Sequence, residues 1–260
     1  MYKITIILIL SLISSIKASE DNFEIICTPL LEQAKKLAQQ HADNPTSSKP
    51  IIAIAGCSAV GKSYFTRKLS KLLRQQGVKV KILKADDFLQ PTPVENPLIH
   101  KNFDHIKLHD TLSKIISGEE HIEKPIWDHA EKVSTKDTEV ACFHNVNLIL
   151  FEGIYCLCDS TSYDFLKYSS IRVFLDADDT DIIEWNWKRE LRTPEKARTR
   201  EKFDEDIKWD MEDYHKTIAP TKQYADFVIF KKNDHSYEIR QQPESDDKKS
   251  DNGPIDADIS

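Results

Sequence analysis

What the sequence lacks narrows its function first. There is no basic surplus: the formal net charge is -7 over 260 residues. A nucleic-acid binder gathers lysine and arginine on one face, so that class is excluded. Nucleotides stay open as partners, because a phosphate needs only a local cradle. A metal-binding cysteine array is also missing. Of Cys27, Cys57, Cys142, Cys156 and Cys158, only the last two lie close together, and no second pair or His-rich segment accompanies them. Their number is odd, which fits poorly with a fully paired disulfide framework. They read as small buried apolar residues, with at most one reactive thiol among them. No internal repeat is visible. The run of apolar and hydroxyl residues over 4–16 is too short to cross a bilayer comfortably.

That run has its own meaning. Lys3 precedes it, and Ala18 and Ser19 follow. A positive start, a short apolar core and a small-residue exit describe a cleaved secretory signal. The alternative is a buried N-terminal strand or helix. A cytoplasmic location is the competing expectation. No stable membrane span is expected after leader removal.

Four segments are expected: a leader over 1–19, a helix and linker over 20–50, a domain over 51–232 and a disordered acidic tail over 233–260. Residues 23–41 carry Ile26, Leu30, Leu31, Ala34 and Leu37 at helical spacing. The continuous apolar run at 51–55 marks a buried parallel strand, and 147–151, 171–175 and 227–230 read as further strands of that sheet. Helical segments alternate with them, so the fold class expected is α/β, with helices on both faces of a mostly parallel sheet. Residues 122–146 look like a small β-rich insertion. The prolines between residues 90 and 105 mark a long loop of the functional kind.

The chemistry begins at Gly56, Cys57, Ser58, Ala59, Val60, Gly61, Lys62 and Ser63, which match G-x-x-x-x-G-K-[ST] between an apolar strand and a helical segment. Glycines let the chain wrap phosphate oxygens, and backbone N–H groups at the helix start attract the anion. Lys62 is a mobile charge for the β and γ phosphates of ATP, and Ser63 offers a hard oxygen to Mg²⁺. The guanine-reading N-K-x-D motif is missing, as is the signature sequence of transport ATPases. Asp86 ends the neighbouring strand, where it can accept a proton from an attacking hydroxyl; an Asx turn or helix cap is the plainer alternative. Glu152 closes another buried strand, the place for a carboxylate that orients Mg²⁺.

The order and spacing of these blocks resemble the uridine kinase and phosphoribulokinase family. The resemblance rests on the phosphate loop, Asp86-Asp-Phe88, Asn102-Phe-Asp-His105, Pro125-Ile-Trp-Asp128, Phe151-Glu-Gly-Ile154, Phe174-Leu-Asp-Ala-Asp178 and Pro220-Thr-Lys-Gln-Tyr-Ala-Asp226. It implies a P-loop kinase fold with an Arg-containing lid, using ATP and Mg²⁺ to phosphorylate a small hydroxyl-bearing metabolite. By the same resemblance Asp86 is the general base and Asp104 holds acceptor hydroxyls. Trp127 stands where a tyrosine is usual, and Arg189 is the lid arginine, with Arg192, Arg198 and Arg200 beside it. Arginine suits a lid because its planar fork binds phosphate oxygens in pairs. After Asp128 the sequence departs from the uridine kinase pattern: Ala130, Glu131, Lys132 and Val133 replace the expected residues, and His129 is out of register. The acceptor therefore stays open among nucleoside-like, sugar-like, phosphosugar and pantothenate-like alcohols. A catalytically inactive nucleotide-binding protein on the same scaffold is the other alternative. Trp185 and Trp187 are expected to pack rather than stack on a base.

Overall fold

The computed structural model describes residues 2–90, 103–128, 133–160, 164–193 and 197–243, with the side chains of 2–21, 127, 128, 133, 134 and 136 outside that description. The first element is a single helix, α1 (Tyr2–Asp43), running unbroken past residue 19. No described helix is long and apolar enough to cross a membrane. The core contacts described for α1 begin at Phe23, followed on the same face by Cys27, Leu30, Leu31, Ala34 and Ala38. This three-and-four spacing is what buries one helical stripe.

Then come β1 (Ile51–Gly56), α2 (Lys62–Gln75), β2 (Val80–Lys84) and a short 3-10 turn (Ala85–Phe88). Residues 91–102 of the expected long loop lie outside the described residues. A bridge between Leu89 and Phe103 joins its two ends. Helix α3 (His105–Ile116) leads into β3 (His121–Asp128) and β4 (Val133–Cys142), an antiparallel hairpin forming its own two-stranded sheet. This is the β-rich insertion. Next are β5 (Leu148–Glu152), β6 (Ile171–Asp176), α4 (Asp179–Glu190), α5 (Arg200–Asp213), β7 (Phe227–Lys231) and β8 (Tyr237–Gln241).

The main sheet has the order β2-β5-β1-β6-β7-β8. Its strands run parallel except for β8, which pairs antiparallel with β7. Every residue of β1, β5 and β7 is buried, the signature of strands covered on both faces.

One expected boundary is corrected. The domain does not end at residue 232, because Tyr237–Gln241 completes the sheet. Tyr237 is buried, with its ring edge-on to Phe23 at 5.4 Å and Phe65 at 5.9 Å. The strand escapes sequence reading because it is half-exposed and charged at the sheet edge, where an apolar run is not needed. Residues 244–260 of the expected tail lie outside the described residues.

Candidate active site

Gly56 ends β1 at a φ of 143°, and a Cβ there would collide with the Leu175 carbonyl of β6. Only glycine fits such a place. The chain then curls through Ala59, at φ 59°, and Gly61, at φ 106°, into the start of α2. No side chain caps this helix start, and its first turn carries no acidic residue. Its first N–H groups are thus presented together, a natural seat for an anion. The Lys62 ammonium reaches back over the loop, donating to the Gly56 carbonyl at 3.1 Å and the Cys57 carbonyl at 2.9 Å. Burial pushes the Cys57 thiol up to about 11, so it sits in the loop as a neutral apolar filler.

Glu152 ends β5 opposite Ile54 of β1 and Lys84 of β2. It is buried, and burial raises its carboxyl above the ordinary value, while a hydrogen bond from Ser63 and the charge of Lys62 act the other way. Asp86 adds a raising effect, which places the two carboxylates within electrostatic reach of each other. Gly153 permits this closeness: a Cβ there would collide with the Ala85 side chain and come within 3.2 Å of the Cys156 sulfur. A hydroxyl and a carboxylate side by side are a donor set suited to Mg²⁺.

Asp86 and Asp87 have separate surroundings. Asp86 is exposed, whereas Asp87 is half-buried and accepts from the Lys124 ammonium of β3 at 3.1 Å. Lys124 also pairs with Glu139 of β4 at 2.7 Å. The hairpin is thereby anchored to the turn that carries Asp86, a tie that the sequence did not signal.

Arg189 stands on the last turn of α4. Its guanidinium donates to the Ser58 hydroxyl at 3.1 Å and to the Asn186 side-chain carbonyl at 2.8 Å. Asn186 in turn donates to the Ser58 carbonyl at 3.4 Å. Burial of the guanidinium lowers its proton affinity, and the charge of Asp86 opposes that most strongly. Arg189 therefore touches the phosphate loop and lies within electrostatic reach of Asp86. Arg192, one turn on, is exposed and within electrostatic reach of Arg189. Arg198 and Arg200 do something else. Arg198 binds both Glu190 oxygens and Asp206, and Arg200 binds Asp204. They bolt α4 to α5 and brace α5. Trp187 packs on Phe203 at 5.0 Å, and Trp185 is buried, as expected for packing residues.

Asp104 caps α3, accepting from the Lys107 N–H at 2.9 Å through one oxygen and from the Gln90 amide at 3.1 Å through the other. Its own N–H donates to the Phe88 carbonyl at 2.9 Å. That keeps it beside the Asp86 turn, with both oxygens engaged. Trp127 lies opposite Ser134 just past a register shift in the hairpin; its side chain, and residues 129–132 including His129, lie outside the described residues. A cavity of about 430 Å³ opens elsewhere, beyond β5, lined by Tyr155, Asp159, Thr217 and Tyr224 among others. It contains none of Lys62, Asp86, Glu152 or Arg189, so volume does not mark the chemistry here.

Known proteins place this arrangement. Residues 51–237 match the phosphoribulokinase / uridine kinase family model. A uridine kinase of Ligilactobacillus salivarius is 30% identical over 192 residues, covering 70% of this chain and 85% of that one. A pantothenate kinase of Actinobacillus succinogenes is 34% identical over 164 residues, covering 56% of this chain and 50% of its own length. Among solved structures, D-glycerate 3-kinase from Cryptococcus neoformans superposes with a TM-score of 0.60 at 14% identity, covering 82% of this chain and 98% of that one. Phosphoribulokinase from Rhodobacter spheroides gives 0.53 at 13% identity, covering 71% of each. These two likenesses speak to the fold alone. With the matched stretch running from the first residue of β1 to the first of β8, the chain belongs to the phosphoribulokinase / uridine kinase family of P-loop kinases.

Proposed function

We propose that the protein transfers the γ-phosphoryl group of ATP to a hydroxyl of a nucleoside-like or sugar-like small molecule. One observation carries this reading: Lys62 and Asp86 both act on Glu152, and Asp86 acts on Arg189, which itself holds Ser58 of the loop. The backbone of that loop and Lys62 receive the phosphates. Ser63 and Glu152 would hold Mg²⁺, which supplies charge neutralisation on the phosphate oxygens when bound. Asp86 is the proton acceptor; being exposed, it is open to an acceptor hydroxyl. Arg189 is placed to meet charge developing on the transferred group, where a fixed fork adds most.

In this reading the acceptor lies on the side of the Asp86 turn facing the hairpin and Asp104. Asp104 already accepts one bond at each oxygen, and the remaining lone pairs of its carboxylate are what an acceptor hydroxyl would use. The relatives named above include kinases of two acceptor types, so purified protein with MgATP should be offered pooled nucleosides, sugars and pantothenate-like alcohols. Mass spectrometry is expected to find one class gaining a single phosphate with matching ADP. Tight ATP binding with no phosphorylated product across the whole panel would favour the inactive scaffold instead.

A further inference from the structure

Lys231, the last residue of β7, carries its charge inward: it is only 8% exposed. Its ammonium donates to the Val60 carbonyl at 3.1 Å and lies 3.8 Å from the centre of the Trp185 ring. A Cβ on Gly61 would come within 3.2 Å of it. So it sits directly behind the second half of the phosphate loop. Lys62 holds the first half, at Gly56 and Cys57. Trp185 belongs to α4, the helix whose Asn186 and Arg189 hold Ser58. Trp185 also meets the His235 ring at 5.5 Å, in the turn joining β7 to β8. The phosphate loop, the lid helix and the last hairpin thus meet at one ammonium.

Burying an ammonium is costly unless it is paired. The nearest acidic influence, Asp181, already accepts from the Asn233 amide at 2.7 Å. A carbonyl and a ring face hold the charge instead. An expensive group kept beside a ligand seat points to function rather than stability.

We propose that Lys231 is a positioning residue for the nucleotide, its ammonium holding the phosphate loop in the shape that receives phosphates and making nucleotide affinity depend on pH. The inference rests on the nucleotide reading above. Burial lowers Lys231 to about 8, with Asp181 acting the other way. Phosphates bound at the loop favour the charged amine, so binding raises that value and takes up a proton. Affinity is therefore full below the value in the free protein and is lost as pH rises through it. The groups facing Lys231 are Asp181 and Trp185 from α4, His235 from the last turn, and Val60 from the loop. Burial and Lys231 itself hold His235 below its ordinary value of 6.5, and Cys57 is raised to about 11, so neither changes charge near pH 8.

The test is calorimetric titration of MgADP into full-length protein from about pH 6.5 to about pH 9.5, alongside melting of the nucleotide-free protein. Wild-type affinity is expected to fall about tenfold across this range, beyond any change in MgADP itself. Lys231→Met should bind about tenfold more weakly at the low end and show no further fall, yet melt no lower than wild type, since a buried charge has been removed. Lys231→Arg, charged throughout, should keep the affinity and lose the slope. A Lys231→Met protein that binds like wild type, keeps the slope, or weakens only together with a lowered melting temperature would overturn the inference. Wild-type protein that does not bind MgADP at all would sink the nucleotide reading itself, a different and recognisable failure.

Discussion

Replacing Asp86 by Asn is expected to lower acceptor phosphorylation by about a thousandfold while MgATP binds almost as before. Asparagine keeps the shape of the short turn Ala85–Phe88 and removes only the proton-accepting oxygen charge. It also removes an anion that raises Glu152 and supports Arg189. Those two effects act in opposite directions on phosphate and metal affinity, so little net change in binding is expected. Steady-state rates with the acceptor from the panel, set beside calorimetric binding, separate the two quantities. A variant that turns over like wild type would remove Asp86 from its role. Asp87→Asn is the informative contrast: it breaks the tie to Lys124 and disturbs the turn without deleting the base.

Lys62→Met should weaken MgATP binding about thirtyfold and lower turnover about a thousandfold, because a charge on the phosphates acts in both the ground state and the transition state. The variant also loses the two bonds that hold the Gly56 and Cys57 carbonyls. Lys62 is half-exposed and water can replace those bonds, so the change in fold stability is expected to stay within about 1 kcal/mol. Wild-type nucleotide affinity in this variant would contradict the assignment of the loop.

Much of this was legible before any coordinates, for a physical reason. Strands covered on both faces are apolar along most of their length, so β1, β5 and β7 announce themselves as apolar runs, with charge only at the last residues of β5 and β7. The phosphate loop is legible because its glycines answer to backbone geometry. Local composition reveals less about residues whose meaning depends on distant neighbours. Asp86 and Asp87 look alike in sequence; Lys124, from a hairpin nearly forty positions on, separates them by engaging Asp87. The arginines between 189 and 200 look like one basic lid. In the fold Glu190, Asp204 and Asp206 claim Arg198 and Arg200 for bracing, and Arg189 reaches the loop. Lys231 falls just past the strand expected at 227–230, and nothing nearby in sequence reveals that its ammonium meets the Trp185 ring. Strand β8 was missed for the converse reason. An edge strand needs few apolar residues, and Tyr237 finds its burial against Phe23, from the other end of the chain.

A crystal structure with Mg²⁺ and a non-hydrolysable ATP analogue tests the central claim most directly. The account predicts the γ-phosphate between Lys62 and Arg189, the metal on the Ser63 and Glu152 side, and the Asp86 carboxylate facing the phosphorus from the open side of the site. A nucleotide seated away from residues 56–63, or a γ-phosphate turned away from Asp86, would contradict it.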